Sequence, residues 1–342
     1  MMKYEDAVVA YALCNHTIEK KLGNGGFGEV FLAHPLENPK FSFAVKKAKV
    51  YTQEDREKVA HELRIHLLLA GHRKPFIIDC LDFQEDKSFG SYSIISLFLE
   101  LASKGAVRDL IGMPELTSGL ARRLLRELCV ALNFIHQRQL VHGDIKPHNM
   151  LLDQDLRLKL ADFGCSREQT DQNKTKWIGL TRAYAAPEMF RDRMVDGRAA
   201  DVYAAGITMY QMLTGTLPWK EADANKVPKY RDWIHGKTNT SQDAWSSLDA
   251  KDIEFFKQVL TPNPDARPTT RWIFDYLKPA ERLPTQPALP IPMATVTVAV
   301  PEAPVQQRRG RKRQAQDSPP IAPVAVPEAP VKPRRGRPPK GK

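Results

Sequence analysis

His142-Gly143-Asp144-Ile145-Lys146-Pro147-His148-Asn149 decides how this chain is read. It lies between a long amphipathic stretch and the apolar Met150-Leu151-Leu152. A loop with an Asp, a Lys two residues on and an Asn five residues on can divide three tasks. Asp144 can orient a hydroxyl nucleophile and accept its proton. Lys146 can neutralise charge on a phosphoryl group in transfer, and Asn149 can hold a metal ion. Electrostatic positioning of this kind is most of what phosphoryl transfer requires. A polar turn held by Asx-type hydrogen bonds would carry the same letters, so the neighbouring segments must discriminate.

Downstream, Asp162-Phe163-Gly164 follows the strand-like Leu156–Ala161. An Asp at a strand end, freed by a Gly, can chelate a Mg²⁺ that bridges phosphates. Upstream, Gly23-Asn24-Gly25-Gly26-Phe27-Gly28 is a GxGxxG run. Dinucleotide-binding folds place such a run between a strand and a helix, with an acidic residue about 20 positions on. Here it sits between two β-prone segments, Thr17–Leu22 and Glu29–Ala33. That context suits a flap over a triphosphate, because glycines let backbone N–H groups approach phosphate oxygens without a Cβ clash. Ala44-Val45-Lys46 then sets a Lys inside an apolar strand. Lys is rarely buried without a partner, and Glu62, 16 residues on, can supply one.

The body reads as strands first and helices later. Phe41–Lys47, Ile77–Phe83 and Tyr92–Leu99 continue the strands, and Thr52–Ala70 reads as a helix. Thr52 can cap that helix with Asp55, and Val59, Leu63 and His66/Leu67 recur at helical spacing. Gly119–Gln137 is amphipathic, with Leu120, Leu124, Leu125, Leu128, Leu132 and Ile135 on one side; Ala200–Leu213 and Leu248–Leu260 follow as helices. The break between a small sheet-rich lobe and a larger helical one falls near Leu101–Lys104. No apolar run approaches the roughly 18–20 residues of a membrane helix. The acidic N-terminus is unlike a signal peptide. Cys14, Cys80, Cys129 and Cys165 are too scattered for a disulfide framework or a zinc site and suggest a reducing compartment.

Together these segments resemble the eukaryotic protein-kinase family, in its Ser/Thr class. The Gly-rich loop, strand Lys, helix Glu, catalytic loop, Asp-Phe-Gly and Ala186-Pro187-Glu188 occur in the family's order. Asp201-Val202-Tyr203-Ala204-Ala205-Gly206 resembles the family's DxWxxG segment, and Arg267 resembles the Arg that pairs with the Glu of Ala-Pro-Glu, here Glu188. The resemblance covers about residues 15–278, after an extension at 1–14. It implies an α+β, two-lobed fold, with an N-lobe over about 15–101 and a C-lobe over about 105–278. It implies ATP and Mg²⁺ as cofactors and protein Ser/Thr side chains as substrates. The nucleotide would contact Leu22, Gly23, Asn24, Gly25, Gly26, Phe27, Gly28, Glu29 and Val30, then Ala44 and Lys46, the latter held by Glu62. The hinge would be Glu100 to Ala102, with Leu99 as gatekeeper. Asn149 and Asp162 would bind the metal, and Asp144, Lys146 and Thr181 would be catalytic. Lys146 and Thr181 both match the Ser/Thr pattern. Two departures stand out. Gly143 replaces the Arg that usually receives an activation-segment phosphate, so activity is expected not to depend on phosphorylation within 165–180, Thr170 and Thr175 included. Ala106 stands where many kinases contact the ribose with an acidic residue, a role that Asp109 could take.

The net charge of +11 is uneven. Pro284–Lys342 holds 11 of the 51 Lys and Arg, 3 of the 40 Asp and Glu, 14 of the 26 Pro and no aromatic residue. Ala299-Val300-Pro301-Glu302-Ala303-Pro304-Val305 returns at 325–331, and each copy leads into Arg-Arg-Gly-Arg. Such spacers favour extended, unpacked backbone. Arg335-Gly336-Arg337-Pro338 resembles an AT-hook, and Arg309-Gly310-Arg311 repeats its core without the proline. Arg-Gly-Arg suits the narrow, electronegative minor groove of A·T-rich DNA, and two hooks on one linker would gain avidity. Nuclear import alone would use the same basic clusters. The expectation is a nuclear Ser/Thr kinase, otherwise cytoplasmic, tethered to DNA by its tail and neither secreted nor membrane-bound. The alternatives are a pseudokinase and a DNA-binding scaffold that keeps an ATP-binding fold.

Overall fold

A computed structural model of the chain describes residues 15–25, 28–70, 76–170, 175–176, 181–192, 194–238 and 243–278. Gly26, Phe27 and the whole of the tail, Arg309, Gly310, Arg311, Arg335, Gly336, Arg337 and Pro338 included, lie outside the described residues. The first lobe is a five-stranded antiparallel sheet of order β1-β2-β3-β5-β4, with β1 His16–Gly25, β2 Gly28–Pro35, β3 Phe43–Val50, β4 Cys80–Asp86 and β5 Ser93–Glu100. Cross-strand pairs share a face. Val30↔Lys46, Leu32↔Ala44, Ala44↔Leu99 and Lys46↔Leu97 therefore line one face. Ala33, Phe43, Val45 and Phe98 form a buried cluster on the other.

Helix α1, Gln53–Leu69, covers the sheet. Its start follows from Thr52, whose hydroxyl accepts from Asp55 N–H at 3.1 Å while the Asp55 carboxylate accepts from Thr52 N–H at 3.0 Å. This is the reciprocal capping box read from the sequence. Of the residues at helical spacing, Val59 and His66 are buried together with Glu62, Ile65 and Leu69, Leu63 is half-buried and Leu67 is 58% exposed. Glu62 and His66 take the inner face because each has a partner there, and Leu67 and Leu68 face outward. The fourth strand is also displaced from Ile77–Phe83 to Cys80–Asp86. Ile77 instead bridges Leu160, and Ile78 N–H donates to Leu160 O at 3.0 Å. An apolar pair read as strand thus stitches the two lobes together.

The second lobe is helical: α2 Ser118–His136, α3 Gly197–Thr214, α4 Pro228–Ile234, α5 Ala250–Val259 and α6 Thr270–Tyr276. Leu124, Leu125, Leu128, Leu132 and Ile135 of α2 join its core, with Leu120 half-buried at the edge. Helix α3 is buried on all sides from Ala199 to Tyr210, as expected of an apolar helix at the centre of a lobe. Asp196 caps it, accepting from Arg198 N–H at 3.0 Å. Three short antiparallel pairs complete the lobe: β6 Leu140–Val141 with β9 Arg167–Glu168, β7 Met150–Leu152 with β8 Leu158–Leu160, and β10 Thr175–Lys176 with β11 Met194–Val195. They hold the polar loops that carry the chemistry. No helix among the described residues is long and apolar enough to cross a membrane.

Candidate active site

The loop between β6 and β7 converges on Asp144. Lys146 Nζ donates to Asp144 Oδ2 at 2.6 Å and to Thr181 Oγ1 at 3.2 Å. Thr181 Oγ1 donates to Asp144 Oδ1 at 2.6 Å. Asn149 Nδ2 donates to Asp144 O at 2.8 Å and to Oδ2 at 3.0 Å. Burial pushes the Asp144 carboxyl up, but the hydrogen bonds from Lys146 and Thr181 outweigh it and hold the group below the usual aspartate value. Asp144 is therefore an anion at neutral pH, ready to accept a hydrogen bond.

The loop backbone is gripped from below. Asp201, on the buried helix α3, accepts from Gly143 N–H at 2.8 Å, from His142 N–H at 2.9 Å and from His136 Nε2 at 2.9 Å. His142 donates through Nε2 to Ala161 O at 3.1 Å and accepts at Nδ1 from Asp144 N–H at 3.2 Å, which assigns its tautomer. Its ring lies 5.2 Å from that of Phe163, and Phe163 lies 5.2 Å from His66 of α1. The Asp162-Phe163-Gly164 turn is thus wedged between the two lobes. Asp162 itself has φ 66°, a left-handed conformation that costs a non-Gly residue roughly 1–2 kcal/mol.

Lys46 and Glu62 are both buried, with Nζ–O distances of 2.6 and 2.7 Å to the two carboxylate oxygens, and Asp162 Oδ1 lies 3.4 Å from the same ammonium. Burial opposes the charge on Lys46, and the Glu62 and Asp162 carboxylates more than offset it, holding the ammonium above the ordinary lysine value. The same burial pushes Glu62 up against the pull of Lys46. With one ammonium donating to both carboxylate oxygens, the pair stands as ions. Above it the β1–β2 hairpin closes at Gly25↔Gly28. A Cβ on Gly28 would lie 2.4 Å from Lys47 O, and one on Gly25 would lie 3.1 Å from Lys46 Cε. Only glycine lets the hairpin lie this close over β3.

The remaining candidates divide. Val30 and Ala44 share the Lys46 face of the sheet. Leu22 bulges out of register between Lys21 and Gly23 and is exposed, as is Asn24. Glu29 is not brought to the site. It lies on the outer face of β2 in an ion pair with Lys21. Glu100 ends β5, with its carboxylate on Lys159 Nζ at 2.5 Å and Asp79 N–H at 3.2 Å. Ala102 packs against the helical core. Asp109 is exposed and paired with Arg108. Glu188 and Arg267 form a buried fork of 2.6 and 2.7 Å.

Residues 16–277 match the family described as protein kinase domain. The chain belongs to the protein kinase domain family. It is 32% identical over 265 residues to the serine/threonine-protein kinase chk-1 of Caenorhabditis briggsae, covering 75% of this chain and 52% of that protein. It is 30% identical over 259 residues to CBL-interacting protein kinase 10 of Oryza sativa subsp. japonica, covering 74% and 54%. A carbon catabolite-derepressing protein kinase of Candida tropicalis is 33% identical over 208 residues, covering 60% and 32%. The chain spans about half the length of the first two of these relatives.

Within this kinase domain, sequence reasoning missed three contacts: His136 beneath Asp201, His61 of α1 donating to Ser166 O at 2.6 Å, and Gln169 against α3. Each partner is distant in sequence, so no local spacing marks them. Asn149 and Asp162 fit a hard cation. Ala161 N–H donates to Asn149 O at 2.9 Å, which sets the two residues side by side. The Asn149 amide nitrogen is committed to Asp144, which leaves its Oδ1 to join the Asp162 carboxylate as an oxygen donor.

Proposed function

We propose that this chain is an active serine/threonine kinase that moves the γ-phosphate of ATP to protein Ser/Thr hydroxyls. The observation that carries the reading is the triangle of Asp144, Lys146 and Thr181, closed at 2.6, 3.2 and 2.6 Å. Lys46, fixed by Glu62, meets the nucleotide phosphates. The Gly23–Gly28 hairpin covers them, with Val30 and Ala44 against the base. Asp144 accepts a hydrogen bond from the incoming hydroxyl and takes its proton as the bond to the γ-phosphorus forms and the bond from that phosphorus to the β,γ-bridging oxygen breaks, with ADP as the leaving group. Lys146 lies beside it to offset charge on the transferred group. Mg²⁺, when bound by Asn149 and Asp162, supplies charge neutralisation on the phosphates.

Three finer parts belong to the same reading. Activity does not require a phosphate in the 165–180 segment, because Gly143 has no side chain to receive one. The protein is nuclear. Its two Arg-Gly-Arg cores hold it on A·T-rich DNA through the minor groove, a part supported by the sequence repeat.

The test is transfer of labelled γ-phosphate to generic Ser/Thr and Tyr substrates by wild type beside Asp144→Asn. Transfer to Ser/Thr that the variant loses supports the reading. A folded wild type that binds ATP and transfers nothing refutes it in favour of a pseudokinase. Deleting 284–342 tests the tail: lost DNA retention with unchanged peptide phosphorylation is expected. Retention that survives the deletion would refute tethering.

A further inference from the structure

Gly143 has φ 80° and no side chain, so the segment after Asp162-Phe163-Gly164 needs another anchor if it is to lie in place. The structure holds one. Gln169 directly follows β9 and is 6% exposed. Its backbone N–H donates to Gln139 O at 2.7 Å. Its side-chain amide is satisfied at both ends: Nε2 donates to Asp196 Oδ1 at 2.8 Å, and Oε1 accepts from Gly197 N–H at 2.7 Å. Arg198 Nη2 approaches Gln169 O at 3.4 Å. All three partners, Asp196, Gly197 and Arg198, lie at the start of α3. The pocket is built around the amide. A Cβ on Gly197 would lie 3.0 Å from Gln169 Oε1 and 2.9 Å from Val141 Cγ2, so Gly197 is what lets the amide in.

The consequence lies in what α3 also carries. Asp201, one turn on, grips the backbone of His142 and Gly143. The same rigid helix therefore fixes the catalytic loop at one point and the chain at the end of β9 at another. A neutral amide, held by the Asp196 carboxylate and by Gly197 N–H, makes this second attachment with no phosphate. We propose that Gln169 is a positioning residue for protein phosphorylation, which holds the chain at the end of β9 on α3 and replaces a phosphate–arginine anchor. This rests on the kinase reading of the Asp144 site.

The amide's polarity dictates the test. In Gln169→Glu the donor becomes a second carboxylate facing Asp196. Adding Asp196→Asn removes that pair of carboxylates, and Gly197 N–H still has its acceptor. Asp196 Oδ1 takes both the Gln169 amide and the Arg198 N–H of the α3 cap, so the new amide at position 196 donates to the new carboxylate at position 169 only by giving up the cap, and rescue is expected to be partial. The full chain, treated with a phosphatase, is assayed with Mg·ATP and dephosphorylated casein. Gln169→Ala and Gln169→Glu are expected to raise KM for casein about fivefold or more, with KM for ATP within about twofold, as fits two buried hydrogen bonds lost in the first and one lost, with a second carboxylate facing Asp196, in the second. The Gln169→Glu/Asp196→Asn double variant is expected to recover casein KM in part relative to Gln169→Glu, because the facing carboxylates are gone. In hydrogen exchange, peptides covering 165–170 are expected to open in Gln169→Ala while those of α3 stay protected.

Three results overturn the proposal. One is a Gln169→Ala variant with wild-type casein KM. Another is a loss shared equally by casein and ATP with no rescue in the double variant, which marks Gln169 as a stabilising residue only. The third is a wild type that transfers no phosphate, which refutes the kinase reading and the positioning role with it. Because Gln169→Ala is compared with an active wild type, this last failure is distinguishable from the first two.

Discussion

Removing Arg267 tests whether the buried fork under the active site is structural. Arg267 donates to both Glu188 oxygens at 2.6 and 2.7 Å, to Thr261 O at 3.0 Å, to Ala199 O at 3.2 Å and to Pro262 O at 3.3 Å. Its guanidinium also lies 4.9 Å from the Tyr203 ring centroid. The side chains of the pair are 0% and 3% exposed. Arg267→Ala leaves the Glu188 carboxylate buried without its counter-charge, which costs about 3–5 kcal/mol. For a domain of this size each kcal/mol lowers Tm by about 2–4 °C, so a fall of about 6–20 °C is expected. Replacing both partners, as Glu188→Leu/Arg267→Met, removes the stranded charge and leaves only unmet carbonyls, so its loss is expected to be smaller, about 1–3 kcal/mol. Arg267→Lys keeps the charge but not the fork and belongs between the two. Thermal unfolding of the full chain, read at one scan rate, orders the three. A single-variant loss below about 1 kcal/mol, or a double variant as unstable as the sum of its parts, would refute the reasoning.

Other outcomes follow from geometry nearer the chemistry. Gly28→Ala drives a Cβ to 2.4 Å from Lys47 O, whereas Gly23→Ala meets nothing within 4 Å; KM for ATP is expected to rise about tenfold or more in the first and stay within about twofold in the second, a spread of roughly 1.4 kcal/mol or more. Equal effects would remove the close-approach argument. Thr181→Val deletes the hydroxyl between Lys146 and Asp144 and is expected to lower kcat about tenfold, with Thr181→Ser restoring it, since one charge-assisted hydrogen bond carries about 1.5–3 kcal/mol. Desolvation of part of the ring, then Arg108 and Lys146, push the His148 pKa below the usual histidine value of 6.5. The unfolded chain then binds the proton more readily, so stability falls as pH drops below 6.5. His148 is exposed, so the effect is small. The Tm difference between pH 7.5 and 5.5 is expected to shrink in His148→Gln, and an unchanged difference would count against it.

How much the sequence disclosed depended on how far apart the interacting residues lie. Thr52 and Asp55 are three residues apart, and their reciprocal cap was legible from local chemistry alone. The β1–β2 hairpin was legible because glycines and β-prone runs share one short window. Helix α1 shows the limit. The spacing left His66 and Leu67 side by side as alternatives, and what settles them is that Lys46 pairs with Glu62 on that face and the His66 ring meets Phe163, neither of which a 3.6-residue periodicity weighs. Ile77 and Ile78 failed similarly. An apolar pair reads as strand, and only the tertiary pairing with Leu160 turned it into a seam between lobes. The triangle at Asp144 could be anticipated from a family pattern, whereas Gln169 and His136 could not, because their partners lie 27 and 65 residues away.

Those long-range contacts share one support, and its burial explains why. Helix α3 is enclosed on every side, so its carboxylate at Asp201 would be costly unless fully satisfied. Three donors satisfy it, two of them backbone N–H groups of the catalytic loop. The energetic demand of one buried charge therefore becomes a constraint on where Asp144 sits. The same argument extends along the helix. Asp196 caps the N-terminus and takes the Gln169 amide, and Ala199 O takes Arg267. Small residues allow these approaches. At Gly206, a Cβ would fall 2.8 Å from both Val259 Cγ2 and Leu260 Cδ2, so α5 packs against bare backbone there. Rigidity at α3 thus comes from close packing, and precision at Asp144 comes from polar groups that have no other way to be satisfied. Catalytic geometry in this lobe is a by-product of meeting hydrogen-bond demand in a place water does not reach.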